Sequence, residues 1–272
     1  MVEKDFLKII ADWRLPKGEP LLRGVEKMIR PALLRGYFGS SYTRLASGLQ
    51  YHLGGELDTA ELAVLANVAA SDRVLDICCF IGGPALQLVN AFQCRVSGID
   101  IAENSILAAN RIARLTRLSR LLDFIIGDAE NLPFKDERFT VVWNQASLAH
   151  KESWLREFDR VLIPGGRFAL TFQFRGMNSK GKDSFSSWTI QDVVALLERL
   201  GYNVEHVEDL TVRDIEIGWK ALDQKLLSQR REFVELLGEE WITNAHNNFI
   251  NEIEKMKNGL WGNARIVATK KR

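Results

Sequence analysis

The stretch from Arg73 to Asp100, RVLDICCFIGGPALQLVNAFQCRVSGID, constrains the fold more than any other part of the chain. Arg73 to Ile77 is a short β-branched run suited to a buried parallel strand. Pro84 sits where a helix can begin, and Asp100 closes the next apolar run. A strand, a tight turn, a helix and a second strand ending in an acid make half of a nucleotide-binding α/β sheet. The terminal carboxylate is placed to accept the hydroxyls of an adenosine ribose.

The turn discriminates between nucleotide cofactors. Dinucleotide-binding turns use G-x-G-x-x-G so that a pyrophosphate can approach the backbone. Here Cys78, Cys79, Phe80, Ile81, Gly82 and Gly83 occupy the turn, which argues against a nicotinamide cofactor. The register instead resembles the D-x-G-x-G-x-G turn of class I S-adenosylmethionine-dependent methyltransferases, with Asp76 as the acid and Gly82 as the last glycine. Cys78 and Phe80 stand where that family has glycine. Gly127-Asp128-Ala129, followed by Glu130-Asn131-Leu132-Pro133-Phe134, resembles the family's G-D-A-x-x-L-P-F stretch. Phe139 to His150 resembles the fourth strand and following loop of its small-molecule members. Arg160 to Phe172 resembles its helix, Pro-Gly-Gly turn and fifth strand. Tyr51 and His52, just before Gly54-Gly55, resemble the lead-in of sarcosine/dimethylglycine methyltransferase-like enzymes. The matches run in family order from about Asp58 to Phe174.

The resemblance implies an α/β fold with a seven-stranded, doubly wound Rossmann-like methyltransferase sheet, a helical N-terminal lid and a helical insertion before the last strand. It implies S-adenosylmethionine as cofactor, held by Asp76, Cys78, Phe80 and Gly82 of the turn and by Asp100 and Ile101 after the second strand. Asp128 then faces the adenine amino group and the Ala129 amide faces the ring, one acceptor and one donor. Asn144 and Gln145 end the fourth strand, where they serve either the methionine amino group, an acceptor, or the loop backbone. Tyr42 and His52 would lean over the cofactor from the N-terminal side.

The reaction is an in-line attack on the sulfonium methyl, which asks the protein for alignment, exclusion of water and a base for the acceptor's proton. His150, in the loop after the fourth strand, is the candidate catalytic base; its alternative role is to hold that loop. Seven tryptophans are many for 272 residues. Trp188, Trp219 and Trp261 fall in or beside the insertion, where an aromatic wall would suit a cationic amine; ordinary helix packing competes as an explanation. An amine nitrogen is therefore the preferred acceptor. A degenerate relative that binds cofactor or a partner without turnover is the alternative.

Composition sets outer bounds. With 36 basic and 35 acidic side chains, the formal charge of +1 gives no electrostatic reason to expect nucleic acid or an anionic membrane as partner. No apolar run approaches the roughly 20 residues needed to span a bilayer. The N-terminus MVEKDFLKIIADW carries acids and lacks a small-residue cleavage site, so a cytoplasmic location is expected. The three cysteines have no disulfide or zinc spacing and read as small buried hydrophobes. The partner is thus a small-molecule methyl acceptor, with monomer and homodimer both open.

Residues 1–57 are expected to form the helical lid, with Pro16 and Pro31 as breakers. Residues 58–211 form the cofactor-binding core, opening on an Asp58/Glu61 capping pair. Thr189 caps a helix that Gly201 stops, and Asn203 to Leu210 make the sixth strand. Residues 212–260 form the substrate cap, two amphipathic helices broken near Gly238. Residues 261–272 supply a final strand, Ala264 to Thr269, and a basic tail. Arg111, Arg114, Arg117 and Arg120 drift around their helix and read as its solvated outer face.

Overall fold

The computed structural model describes residues 2–37, 48–148, 151–180 and 187–272. Their seven strands form one sheet in the order β3-β2-β1-β4-β5-β7-β6. These are β1 (Arg73–Ile77), β2 (Arg95–Asp100), β3 (Leu122–Ile126), β4 (Phe139–Gln145), β5 (Leu162–Arg175), β6 (Tyr202–Asp209) and β7 (Trp261–Lys270). The β1–β2, β2–β3, β1–β4 and β4–β5 pairs are parallel, whereas β7 runs antiparallel to both β5 and β6. Strand order reverses between β1 and β4. Ligands of open α/β sheets bind outside the carboxyl ends of the strands at such a point.

The helices are α1 (Val2–Asp12), α2 (Leu21–Leu34), α3 (Gly55–Leu65), α4 (Gly83–Phe92), α5 (Glu103–Leu115), α6 (Glu152–Val161) and α7 (Ile190–Arg199). Thr189 and Asp192 form the capping box of α7, as the sequence predicts. Two apolar clusters cover the sheet. One joins Val74, Val96 and Val141 to α4 and α5, and takes in Phe6, Ile10, Trp13, Val25 and Ile29 of the N-terminal helices. The other holds Leu75, Phe158, Phe172 and Leu197, with Phe168 stacked on Tyr202 at 4.4 Å. The N-terminal helices are therefore part of the core.

Local expectations needed correction where distant contacts decide. Pro31 lies inside α2 instead of breaking it, within the last turn, where one lost backbone hydrogen bond does not end the helix. Arg111 is not solvated like exposed Arg114, Arg117 and Arg120. Its guanidinium donates to the carbonyls of Ile10 and Ala11, each at 2.9 Å, which ties the end of α1 to α5. Asp58 is no cap: α3 begins at Gly54 and Gly55, both with positive φ, and Asp58 turns inward.

The segment before β7 holds α8 (Thr211–Arg213), a π-helix (Asp214–Trp219), α9 (Lys220–Ser228), α10 (Arg230–Leu237) and α11 (Glu239–Lys257). Gly238 breaks it at φ 86°, and a further break falls at Gln229. Its core of Ile215, Phe233, Ile242, Phe249 and Ile253 packs onto Trp261 at the start of β7. No helix of the described residues is long and apolar enough to cross a membrane.

Candidate active site

The turn after β1 keeps a glycine-type backbone without the glycines. Cys78 has φ 57°, Phe80 φ 52° and Gly82 φ 81°, all left-handed. Such a conformation costs a residue with a Cβ about 1–2 kcal/mol. Tertiary contacts hold it: the Cys79 amide donates to Ile99 O at 3.0 Å, and the Phe80 amide to Asp100 Oδ2 at 2.9 Å. Gly82 is required by packing, since a Cβ there would lie 2.5 Å from the Phe124 ring. A Cβ on Gly83 would lie 2.2 Å from the Leu49 carbonyl oxygen. The Phe80 ring is half-buried and tilted against Tyr51 at 5.7 Å between centroids.

This turn borders a recess lined by Tyr51, His52, Asp76, Cys78, Phe80 and Gln145 among others. Asp76 is 2% exposed, and its Oδ2 is buried without a hydrogen-bond partner among the described residues. Burial, with the nearby Asp100 charge, pushes its carboxyl well above the usual carboxylate range. An orphaned carboxylate oxygen beside a recess fits an ammonium-bearing ligand, the chemistry of the methionine end of S-adenosylmethionine. Asp100, at the tip of β2, is aimed by two backbone amides, from Phe80 and from Ala102 at 2.9 Å. Beside it Ile101 is 76% exposed. Asp128 is exposed past β3, where it accepts from the Glu130 amide at 2.9 Å, and Ala129 is buried next to it. A polar strip thus runs along the carboxyl edge of β1, β2 and β3.

Asn144 is fully buried and donates through Nδ2 to Ile77 O at 3.0 Å, locking β4 to β1. Its Oδ1 has no partner among the described residues. Gln145 lines the recess as well, and its amide bonds to other side chains. Oε1 accepts from Thr59 Oγ1 and Trp143 Nε1, each at 3.0 Å, and Nε2 donates to Asp58 Oδ2 at 2.8 Å.

Asp58 is the centre of a buried ion cluster that sequence reasoning missed. Its Oδ1 accepts from Arg213 Nη1 at 3.0 Å and Arg265 Nη2 at 2.6 Å, and the same two guanidinium groups reach Glu61. Arg213 ends α8 in the segment before β7, and Arg265 lies on β7 with 2% exposure. The cluster thereby ties α3, β4, β7 and that segment together. The signal in the sequence was the D-x-x-E spacing, which serves a helix cap and a one-faced pair of carboxylates equally well.

His52 is buried beside this cluster, its Nδ1 3.7 Å from Asp58 Oδ2. Burial lowers its pKa below the ordinary histidine value. It also borders a second recess, between Gln50–Gly55 and a wall of Ile217, Gly218, Leu222 and Lys225. Trp219 is not part of that wall. It is 7% exposed, packed edge-on to Trp261, and its Nε1 donates to Met256 Sδ at 3.2 Å. Trp188 packs beside the Phe158/Phe172 cluster, apart from both recesses. His150 and Tyr42 lie outside the described residues. The cysteines are shielded: burial pushes the Cys78 thiol up to about 12 and the Cys94 thiol up to about 11.

Comparison with known proteins agrees with this geometry. Residues 75–170 match the methyltransferase domain family. The chain is 40% identical over 115 residues, 41% of its length, to 27-O-demethylrifamycin SV methyltransferase of Amycolatopsis mediterranei, covering 42% of that protein. It is 24% identical over 221 residues to the glycine/sarcosine/dimethylglycine N-methyltransferase of Actinopolyspora halophila, covering 76% of this chain and 39% of that one. The chain thus spans less than half the length of these relatives. Among solved structures, Haemonchus contortus phosphoethanolamine N-methyltransferase 2, in complex with phosphomonomethylethanolamine and S-adenosylhomocysteine, superposes with a TM-score of 0.77. That match is 17% identical and covers 94% of this chain and 61% of the other. Residues 75–170 thus carry a methyltransferase domain, on a seven-stranded sheet whose fold is similar to that of the solved methyltransferase structures.

Proposed function

We propose that the protein transfers a methyl group from S-adenosylmethionine to a small-molecule acceptor held between Gln50–Gly55 and Ile217–Lys225. The observation that carries this reading is the orphaned Asp76 Oδ2 beside a recess at the switch point, under a turn that keeps its left-handed backbone without glycine. Asp76 would hold the ammonium of the cofactor, Asp100 its ribose hydroxyls, and Asp128 with the Ala129 amide its adenine. The cofactor supplies a methyl group on a sulfonium. The protein supplies alignment, a dry chamber and a proton acceptor. His150, in the loop that follows β4 in the chain, is the proposed base.

The acceptor atom is proposed on chemical grounds. An amine nitrogen gained its preference from the cap tryptophans, yet Trp219 is committed to packing, and the chamber walls combine Leu53, Ile217 and Leu222 with Gln50, His52 and Lys225. They suit an acceptor with an apolar body that presents an uncharged amine or a hydroxyl. Methylation of a panel of apolar amines and phenols, followed by mass spectrometry, tests this. A product from either class supports the reading, and tight cofactor binding with no product from any acceptor favours a degenerate binding protein.

A further inference from the structure

The acids of the candidate site lie along the carboxyl edge of β1, β2 and β3, and the amino ends of the same strands carry the opposite charge. A recess there is lined by Arg73, Arg95, Arg120 and Arg138, with Ser97 and Asp123 among its other residues. Side chains alternate along a strand, so Arg73, Arg95, Ser97 and Asp123 share the face of Leu75, Ile99 and Ile125. The β3–β4 connection, residues 127–138, forms no helix and so brings none over this corner of the sheet.

Two of the four guanidinium groups are held by neutral partners. Arg73 Nε donates to the Arg138 carbonyl at 2.7 Å, and the Arg138 guanidinium lies 5.6 Å and 5.8 Å from the ring centroids of Phe134 and Phe139, which pack edge to face. Arg95 and Arg120 are exposed, and none of the four forms an ion pair among the described residues. Arg73 and Arg95 stand opposite each other across the β1–β2 ladder, where like charges weaken pairing. Asp123, the one acid among the described lining residues, accepts from Ser97 Oγ at 2.9 Å. Four positive charges thus face one negative charge, and two of them are fixed in place without a carboxylate. Such an arrangement is preorganised for an anion.

We propose that this recess binds a small anion bearing two or more phosphate groups, at a second site on the opposite edge of the sheet from the cofactor recess. Guanidinium forks match phosphate oxygens bidentately, and four of them offer more donors than one phosphate can accept in that way. Their gathering in one recess, instead of along a stripe, favours a compact anion over a nucleic-acid backbone. Binding relieves the repulsion between Arg73 and Arg95, so the occupied protein is the more stable one. The site uses no residue of the methyl-transfer reading and stands apart from it.

The test is calorimetric titration of the full chain with inorganic pyrophosphate in magnesium-free buffer, beside orthophosphate. Pyrophosphate should bind one to one with submillimolar affinity, at least tenfold more tightly than orthophosphate, and should weaken as salt is added. The double variant Arg95→Gln/Arg120→Gln removes two side chains that make no hydrogen bond or ion pair among the described residues. It should lose at least tenfold in affinity for pyrophosphate while its unfolding midpoint without ligand stays native. Arg114→Gln/Arg199→Gln, the same charge change at exposed positions outside the recess, should bind as the native protein does. Unchanged affinity in the recess variant, equal losses in the two variants, or pyrophosphate binding no tighter than orthophosphate overturns the proposal. Binding of a single-stranded oligonucleotide that depends on Arg95 and Arg120 and is tighter than that of pyrophosphate also overturns it, because the recess then serves a nucleic-acid backbone.

Discussion

At Cys78 and Phe80 the chain tolerates a cost that glycine would avoid. Cys78→Gly should leave stability unchanged or raise it by up to about 1 kcal/mol, because relief of the left-handed conformation offsets the small thiol lost. Cys78→Val, β-branched at the same φ, should lower it by more than about 1 kcal/mol. Urea denaturation of the pair checks this, and equal midpoints would show that the turn is not strained. Two titrating groups act with opposite sign. Burial raises Asp214 to about 6, so its protonated form is favoured by folding; that stability is present below the ordinary carboxylate range and lost as pH rises through 6. Asp214→Asn should therefore stabilise the protein at pH 7.5 by on the order of 1–3 kcal/mol, with no gain at pH 4. A thermal midpoint that shifts equally at both pH values would refute it. His52, whose pKa burial lowers, contributes stability that is full above pH 6.5 and declines as pH falls below it.

At the scale of elements, the buried cluster around Asp58 holds the sheet, α3 and the segment before β7 in one arrangement. Asp58→Ala leaves the 2% exposed Arg265 and the adjoining Arg213 short of a countercharge, a loss of about 3–5 kcal/mol. Glu61, with a 39% exposed side chain, should cost less than about 1 kcal/mol when changed to Gln. Equal losses would show that the cluster is not organised around Asp58. The same contrast explains what was legible in the sequence. The first strand, the turn, α4, the second strand and the Thr189 cap are set by local pattern and stand where the residues predict them. The ends of β7 are not local: it pairs with β5 on one side and β6 on the other, so it extends from Trp261 to Lys270, well past its most apolar stretch. Asp58 looked like a cap because its true partners, Arg213 and Arg265, lie some 150 and 200 positions away in the chain. Trp219 looked like an open wall because only packing against Trp261 and Phe249 commits it.

For the whole molecule, the sheet order, the acids at the tips of β1 and β2 and past β3, and the two recesses joined at His52 converge on one carboxyl edge. The fold and cofactor class were readable from ordered motifs, whereas the chamber wall was not, since it is assembled from the π-helix and a loop far apart in sequence. If Asp100 is the ribose acid, Asp100→Ala should weaken cofactor binding at least tenfold, about 1.4 kcal/mol, as followed by calorimetry. Unchanged affinity would mean that the assigned register of the turn is wrong. The central claim is that a turn carrying Cys78 and Phe80 still admits the cofactor. Calorimetric titration of the native protein with S-adenosylmethionine and with S-adenosylhomocysteine at pH 7.5 tests it most directly. Micromolar affinity for both is the predicted result, and no binding of either would contradict it.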